Sequence, residues 1–261
     1  MSKEFNLISS QYFEAYSKAL TVDLAKATKK LSIKRTFGKK DFEYYFIASS
    51  VFSSRIEGNT LDLNSFMRLR GEKTSSKKKE VKEIEDLVEA YKFASANKLT
   101  QTNFLKAHQI LSKTVLSKSS ERGKLRKMPV GVYDSDTGKP VYIAVEPEYL
   151  GKETAKLFED INSLLGKKLN NKEKFYYASL IHLWLAMLHP FTDGNGRAAR
   201  LLEKWFLVSV TGNNAWSINS EKYYWDNRPE YYKNIALGYN YYALKWERSI
   251  PFLLMLPNSL K

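Results

Sequence analysis

The 261-residue chain contains no cysteine. That excludes disulfides, thiolate zinc sites and a cysteine nucleophile, and it fits a reducing compartment. Long apolar runs are also missing. The longest, around LIHLWLAML, is interrupted by His182 and ends at His189 and Pro190, well short of the ~20 residues that span a bilayer. The amino terminus, MSKEFNLISSQYF, has no basic start leading into an apolar stretch, so no secretory signal is read. Sustained alternation of apolar and polar residues is scarce, which argues against a β fold. These absences predict a soluble cytoplasmic protein that makes no membrane contact.

A hydrophobic content of 43% over this length supports a sizeable core. Formal net charge is +14, from 42 basic and 28 acidic residues, and such an excess invites a nucleic-acid reading. The distribution argues against it. In EKTSSKKKEVKEIEDLVEA, lysines interleave with glutamates at helical spacing, the pattern of a solvated helix face. Acidic ligands such as a nucleoside triphosphate, or an acidic protein surface, fit the same charge.

Apolar residues recur at spacings of three and four through most of the chain, which predicts helices near 10–31, 41–57, 62–70, 78–96, 101–116, 147–165, 171–188, 196–211, 228–240 and 244–256. One stretch differs: KMPVGVYDSDTGKPVYIAV, residues 127–145, has β-branched runs on both sides of DSDTGKP, a hairpin signature. The linker-like stretches GEKTSSKKK and LSKSSERGK are short and no internal repeat is present, so one compact domain is expected.

Two places break local rules. In SSRIEGN, residues 53–59, Glu57 closes a helix that Asp41 would cap at its start and that Gly58 and Asn59 would stop. A carboxylate there faces the negative end of the helix dipole, where a basic residue would be worth about 0.3–1 kcal/mol instead. The second place follows a helix opened by Asn170 and Glu173 at capping spacing. There HPFTDGNGRAAR runs from His189 to Arg200. Pro190 ends the first helix, Gly194, Asn195 and Gly196 form a turn, and Arg197 begins the next helix. Free N–H groups at a helix N-terminus, glycines that allow close approach, and a favourable dipole suit a phosphate. Arg197 and Arg200 lie on one face of that turn, where two cations call for an anion between them. His189, with an ordinary pKa near 6.5, suits proton removal from a hydroxyl. Asp193 offers a hard carboxylate oxygen, and magnesium commonly takes one or two protein carboxylates with phosphate and water completing its shell. A tight turn laced by salt bridges is the competing reading, weakened by the number of special residues in twelve positions.

HPFTDGNGRAAR resembles the signature of the Fic family: histidine, proline, phenylalanine, any residue, an acidic residue, GNGR, two variable residues and arginine. Every specified position is present. The likeness extends over roughly residues 40–255, including GKLRKMPVGV, His182 and RPEYYKNIAL. It implies an all-α Fic fold, a helical bundle with a β-hairpin flap at about 128–145, and a division into an N-terminal helical extension at 1–35 and a Fic domain at 36–261. It also implies transfer of AMP from ATP to a tyrosine, threonine or serine hydroxyl of a target protein, with self-modification among the expected reactions. In that reading His189 is the base and Asp193 holds Mg2+. Gly194, Asn195, Gly196, Arg197 and Arg200 hold the phosphates, and Tyr232 and Ile235 lie near the nucleoside. Pro129, Val130, Gly131 and Val132 of the flap dock the target. SSRIEGN is similar to the family's inhibitory motif, in which the glutamate, here Glu57, pairs with the second arginine, here Arg200, and Ser53 orients it.

Alternatives within the same family are removal of AMP and use of another phosphate-containing donor. Outside enzymes, a nucleotide-binding module or a nucleic-acid-binding helical protein would account for less, since binding alone needs neither His189 nor Asp193. His182, two turns before His189, is expected to be a buried hydrogen-bonding residue, and His108 a packing residue of its helix.

Overall fold

A computed structural model describes residues 5–33, 39–72, 76–133 and 140–261. The fold is all-α with one small hairpin. Helices α1 (Phe13–Ala19) and α2 (Leu24–Ile33) are followed by α3 (Lys39–Ile56), α4 (Leu63–Leu69), α5 (Lys78–Ala96) and α6 (Gln101–Leu111). The hairpin strands are β1 (Gly131–Tyr133) and β2 (Pro140–Ile143). Then come α7 (Pro147–Leu165), α8 (Asn171–Leu188), α9 (Asn195–Thr211), α10 (Ser220–Asp226), α11 (Arg228–Ile235), α12 (Ile250–Leu253) and α13 (Met255–Asn258). The domain boundary expected at residue 35, the tip of the hairpin and the side chain of Asp41 lie outside the described residues. Among those that are described, no helix is long and apolar enough to cross a membrane.

The centre of the fold is α8. Its residues are apolar almost all round, so the helix has no face to give to water and is surrounded. The expected capping box is formed: the Asn170 side chain accepts from the Glu173 N–H, and the Glu173 carboxylate accepts from the Asn170 N–H. α9 packs along α8 and also touches α3, α5, α6 and α7. The N-terminal segment is tied to this body by a buried carboxylate, because Asp160 on α7 accepts the N–H groups of Asn6, Leu7 and Ile8.

Several boundaries differ from the sequence reading. The single helix expected over 10–31 is two, because Leu20 is extended and Asp23 opens α2 by accepting from the Lys26 N–H. α3 starts by Lys39, which puts Asp41 inside it rather than at its cap. The helix expected to reach 116 stops at Leu111. The one expected to reach 240 stops at Ile235, where Ala236 leaves helical geometry and Gly238 comes so close to the Ala243 carbonyl that no side chain fits. The helix expected over 244–256 is broken into a 3-10 turn, α12 and α13, and α10 was not foreseen.

α3, α9 and α10 meet around a buried ion pair. Lys204 is 2% exposed and Glu221 0%. The Lys204 ammonium bonds the Glu221 carboxylate, the Ser49 hydroxyl and the Ile218 carbonyl, while the Tyr91 hydroxyl donates to the other Glu221 oxygen. Removing one partner strands the other charge away from water. Glu221→Ala is therefore expected to lower unfolding free energy by about 3–5 kcal/mol, measured by urea denaturation. A loss under about 1 kcal/mol would show that the pair is not what holds these helices together.

Candidate active site

His189 caps the C-terminus of α8 in a left-handed conformation, with φ 47° and ψ 57°. It is the one non-glycine residue with positive φ among those described, a geometry that costs an L-residue roughly 1–2 kcal/mol. The surroundings hold it there. The Asn195 side chain accepts from the Phe191 N–H and donates to the Phe191 carbonyl, and Arg126 donates to the carbonyls of both His189 and Pro190. The His189 Nδ1–H points at the Ala186 carbonyl, 3.3 Å away. That tautomer leaves Nε2 with a free lone pair, as a base requires. Burial lowers the imidazole pKa, and the nearby Arg126 charge adds to this against the opposing effects of Ala186, Glu57 and Asp193.

Next to it, α9 starts at Asn195, one residue before the helix expected over 196–211. Gly194 is the N-cap, at φ 80°, and makes no side-chain cap. The N–H groups of Asn195, Gly196 and Arg197 therefore open the helix without an intrahelical acceptor, and they form a seat for an anion. Asn195 contributes through its backbone, since its side chain belongs to the loop. Asp193 is exposed, with Oδ1 taken by the Gly194 N–H. Among the described residues, no three histidine or acidic side chains converge on a common metal position. One carboxylate with an oxygen to spare, beside a phosphate seat, fits magnesium held mostly by phosphate and water.

The Glu57 carboxylate lies beside this seat. The end of α3 is closed by Gly58 at φ 96° and by Asn59, whose N–H reaches the Ser54 carbonyl, which brings the Glu57 carboxylate against Gly196. A Cβ on Gly196 would collide with it. The carboxylate is 2.8 Å from Arg200. Burial alone would raise the Glu57 pKa, but Arg200 and Arg197 outweigh it and hold the group below the usual carboxylate range.

Arg200 is 1% exposed, and each of its three side-chain nitrogens donates. Nε donates to the Ser53 hydroxyl at 2.8 Å, one Nη to the Tyr231 hydroxyl at 3.2 Å, and the other to the Ser53 carbonyl at 3.0 Å and to Glu57. Ser53 thus holds the arginine, where the sequence reading had it orienting the glutamate. Arg197 is also buried, 3.7 Å from Glu83 of α5. Its Nε has no partner among the described residues, leaving a buried donor available to a ligand.

Behind Arg200 runs a chain of buried hydrogen bonds. Tyr231 receives from Arg200 and reaches His182 Nε2 at 3.0 Å, while His182 Nδ1 meets Glu203 at 2.9 Å, and Tyr224 donates to the same carboxylate. His182 is thus the buried hydrogen-bonder expected of it. His108 does more than pack: it stacks on Phe191 with ring centres 3.5 Å apart, its Nε2–H donates to the Asp193 carbonyl, and its Nδ1 accepts from the Gly123 N–H.

The two expected nucleoside contacts part company. Tyr232 is 43% exposed beside the site, but its hydroxyl donates to the Ile56 carbonyl at the end of α3. Ile235 packs against the core. In the hairpin, Gly131 pairs with Ile143 and Val132 with Tyr142. The Ala144 N–H reaches the Val130 carbonyl, whereas the Ile143 N–H turns outward to the Tyr239 carbonyl. β2 therefore has its outer edge covered. Among the described residues nothing pairs with the outer edge of β1, and strand alternation puts Gly131's backbone groups on it, with those of Val130 and Val132 facing β2. Pro129 precedes β1 as an exposed residue.

Residues 98–207 match the Fic/DOC family. A Protein adenylyltransferase Fic of Nematostella vectensis is 30% identical over 179 residues, covering 66% of this chain and 38% of that protein. A Protein adenylyltransferase fic-1 of Caenorhabditis briggsae is 30% identical over 159 residues, covering 56% and 29%. The chain thus spans less than two fifths of the length of these relatives. Among solved structures, a Fic family protein from Desulfovibrio desulfuricans superposes with a TM-score of 0.74 at 19% identity, covering 91% of this chain and 70% of that one. A Fic-domain-containing signaling protein from Bacteroides thetaiotaomicron gives 0.68 at 19%, covering 91% and 93%. At these identities the two structures bear on the fold alone.

Burial favours the neutral form of both site imidazoles. Burial pushes His108 down to about 4, and His189 is lowered from its ordinary value. In a 15N-detected NMR titration, His108 is expected to protonate only near pH 4, and His189 below the ordinary histidine range. A His108 midpoint near 6.5 would contradict its burial against Phe191 and Asp193.

Proposed function

The chain belongs to the Fic family, and we propose that it is a protein adenylyltransferase that moves AMP from ATP to a tyrosine, threonine or serine hydroxyl, braked by Glu57. The observation that carries this reading is a meeting of three features: helix N–H groups without an intrahelical acceptor at the start of α9, a histidine with a free Nε2 beside them, and the protein's own Glu57 carboxylate lying against Gly196 and paired with Arg200. The names of the two relatives support the donor and the reaction class.

In this reading the triphosphate lies across the start of α9. The N–H groups of Asn195, Gly196 and Arg197 and the unpaired Nε of Arg197 bind its phosphates. His189 Nε2 takes the proton from the target hydroxyl, whose oxygen bonds the α-phosphorus as the bond to the bridging oxygen of pyrophosphate breaks. The protein positions the reactants and stabilises charge, as phosphoryl transfer generally asks. Asp193 Oδ2 would hold Mg2+, which when bound neutralises phosphate charge and orients the leaving group. Arg200 would receive the γ-phosphate once Glu57 leaves. The free edge of β1 would pair with an extended target segment, the outward N–H and carbonyl of Gly131 forming the first bonds. The cytoplasm is the compartment proposed.

Glu57→Gly is expected to raise transfer, including self-modification, at least tenfold over wild type, read with labelled ATP, magnesium and a cell lysate followed by mass spectrometry of modified peptides. Ser53→Ala frees one Arg200 donor and should raise transfer less. His189→Ala in the Glu57→Gly background should abolish it with ATP binding retained, and Asp193→Ala should remove its dependence on magnesium. If Glu57→Gly leaves transfer unchanged while His189→Ala still abolishes it, the brake fails, and removal of AMP by water activated at Glu57 becomes the better account.

The docking edge is tested separately. Gly131→Pro should lower target modification with ATP affinity intact, whereas Val132→Pro strikes the hairpin's own pairing and should disturb both strands. Equal losses of modification and ATP affinity in Gly131→Pro would exclude edge docking at this position.

A further inference from the structure

Arg126 has no place in the chemistry above, yet its side chain is 4% exposed and all its bonds run to backbone oxygens of two separate elements. Nε donates to the His189 carbonyl at 2.8 Å, one Nη to the Met128 carbonyl at 2.9 Å, and the other to the Val145 carbonyl at 2.5 Å. Its own N–H donates to the Pro190 carbonyl at 2.9 Å. Met128 lies at the foot of β1 and Val145 just beyond β2, so one planar group touches both legs of the hairpin. The same group touches the carbonyl of the residue whose left-handed backbone aims the imidazole. A guanidinium fixes its donors in one rigid fork, which a flexible ammonium cannot reproduce.

Among the described residues, few other bonds join the hairpin to the body. The Tyr142 hydroxyl donates to the Met187 carbonyl at the end of α8, and the Ile143 N–H to the Tyr239 carbonyl. Of these contacts, Arg126 alone reaches His189 itself. A hydroxyl carried by a target strand on β1 must arrive within hydrogen-bond reach of Nε2, and errors of about 1 Å are costly in such reactions.

We propose that Arg126 is a positioning residue that makes the hairpin and the His189 loop one rigid unit, fixing where a target docked on β1 presents its hydroxyl to the base. The proposal rests on the transferase reading for its consequence, and on the hydrogen bonds alone for the coupling. Its function lies in the fork. Arg126→Lys, which keeps the charge, should therefore behave much like Arg126→Gln, which does not.

The test uses the full chain carrying Glu57→Gly, alone and combined with Arg126→Lys or Arg126→Gln. Hydrogen exchange followed by NMR reads the coupling without reference to activity. The Ala144 amide, bonded across the hairpin to Val130, and the Phe191 amide, bonded to Asn195 in the loop, should both exchange at least tenfold faster in either variant, with amides in the middle of α8 unchanged. Transfer of label from ATP to lysate proteins should fall at least tenfold in rate while ATP affinity stays within about twofold, because the seat at α9 shares no bond with Arg126. Faster exchange in only one of the two segments, or in neither, would overturn the coupling. Full activity in Arg126→Lys, or a loss that tracks ATP affinity, would overturn the positioning role. A Glu57→Gly parent that transfers nothing would instead sink the transferase reading, and the exchange data would still decide the coupling.

Discussion

The burial of the Arg200 guanidinium is the constraint on which the site depends. A cation with almost no access to water needs acceptors for its donors, and leaving them unpaired would cost far more than any single hydrogen bond contributes. The acceptors come from the last turn of α3 and from Tyr231 of α11, so the position of α3 follows from the needs of a residue on α9. Burial alone would lower the Arg200 pKa, but Tyr231 and Glu57 outweigh it and keep the group charged. The Glu57 carboxylate, disfavoured by its own helix dipole, is held by that cation.

The Tyr231–His182–Glu203–Tyr224 chain extends the same logic inward. Each member is buried, and each has a partner whose proton is placed to suit the next: Arg200 donates to Tyr231, Tyr231 to His182 and His182 to Glu203. A network satisfied in this way defines one arrangement and penalises alternatives, which is how a polar core becomes a rigid one. Lys204 and Glu221 do the same a turn away, joining α9 to α10 and α3.

What could be read in the sequence was periodic or locally punctuated. The α8 helix, its capping box, the Gly58 stop, the hairpin and the cluster from His189 to Arg200 all announce themselves within single short stretches of chain. What escaped depends on partners distant in sequence. Arg126 stands in GKLRKMPVGV as one basic residue among several, and nothing local says that its fork will meet His189, 63 positions away. His108 looks like an ordinary helix residue until Phe191 and Asp193 fold onto it. Tyr231 and Tyr232 are adjacent and equally apolar in context, and only the packing of α11 sends one to Arg200 and the other to the end of α3. The break before Asp23 lies inside an apolar period that reads as one continuous helix, so the expected helix ran through it. The early end of α11 was not legible, because it depends on Gly238 meeting the Ala243 carbonyl.

Gly196 gives the site a further property. Because it has no side chain, the Glu57 carboxylate can lie against it at the start of α9, where in the transferase reading a phosphate would also lie, so one of the two competitors is part of the chain. A tethered competitor acts at an effective concentration set by the geometry of the tether, which for short connections is in the millimolar range and does not fall on dilution. Its occupancy is the same in a dilute solution as in a crowded one. In the transferase reading an anion arriving from outside would have to overcome that standing concentration, so the site would respond to the ratio between ligand supply and a threshold written into the position of α3.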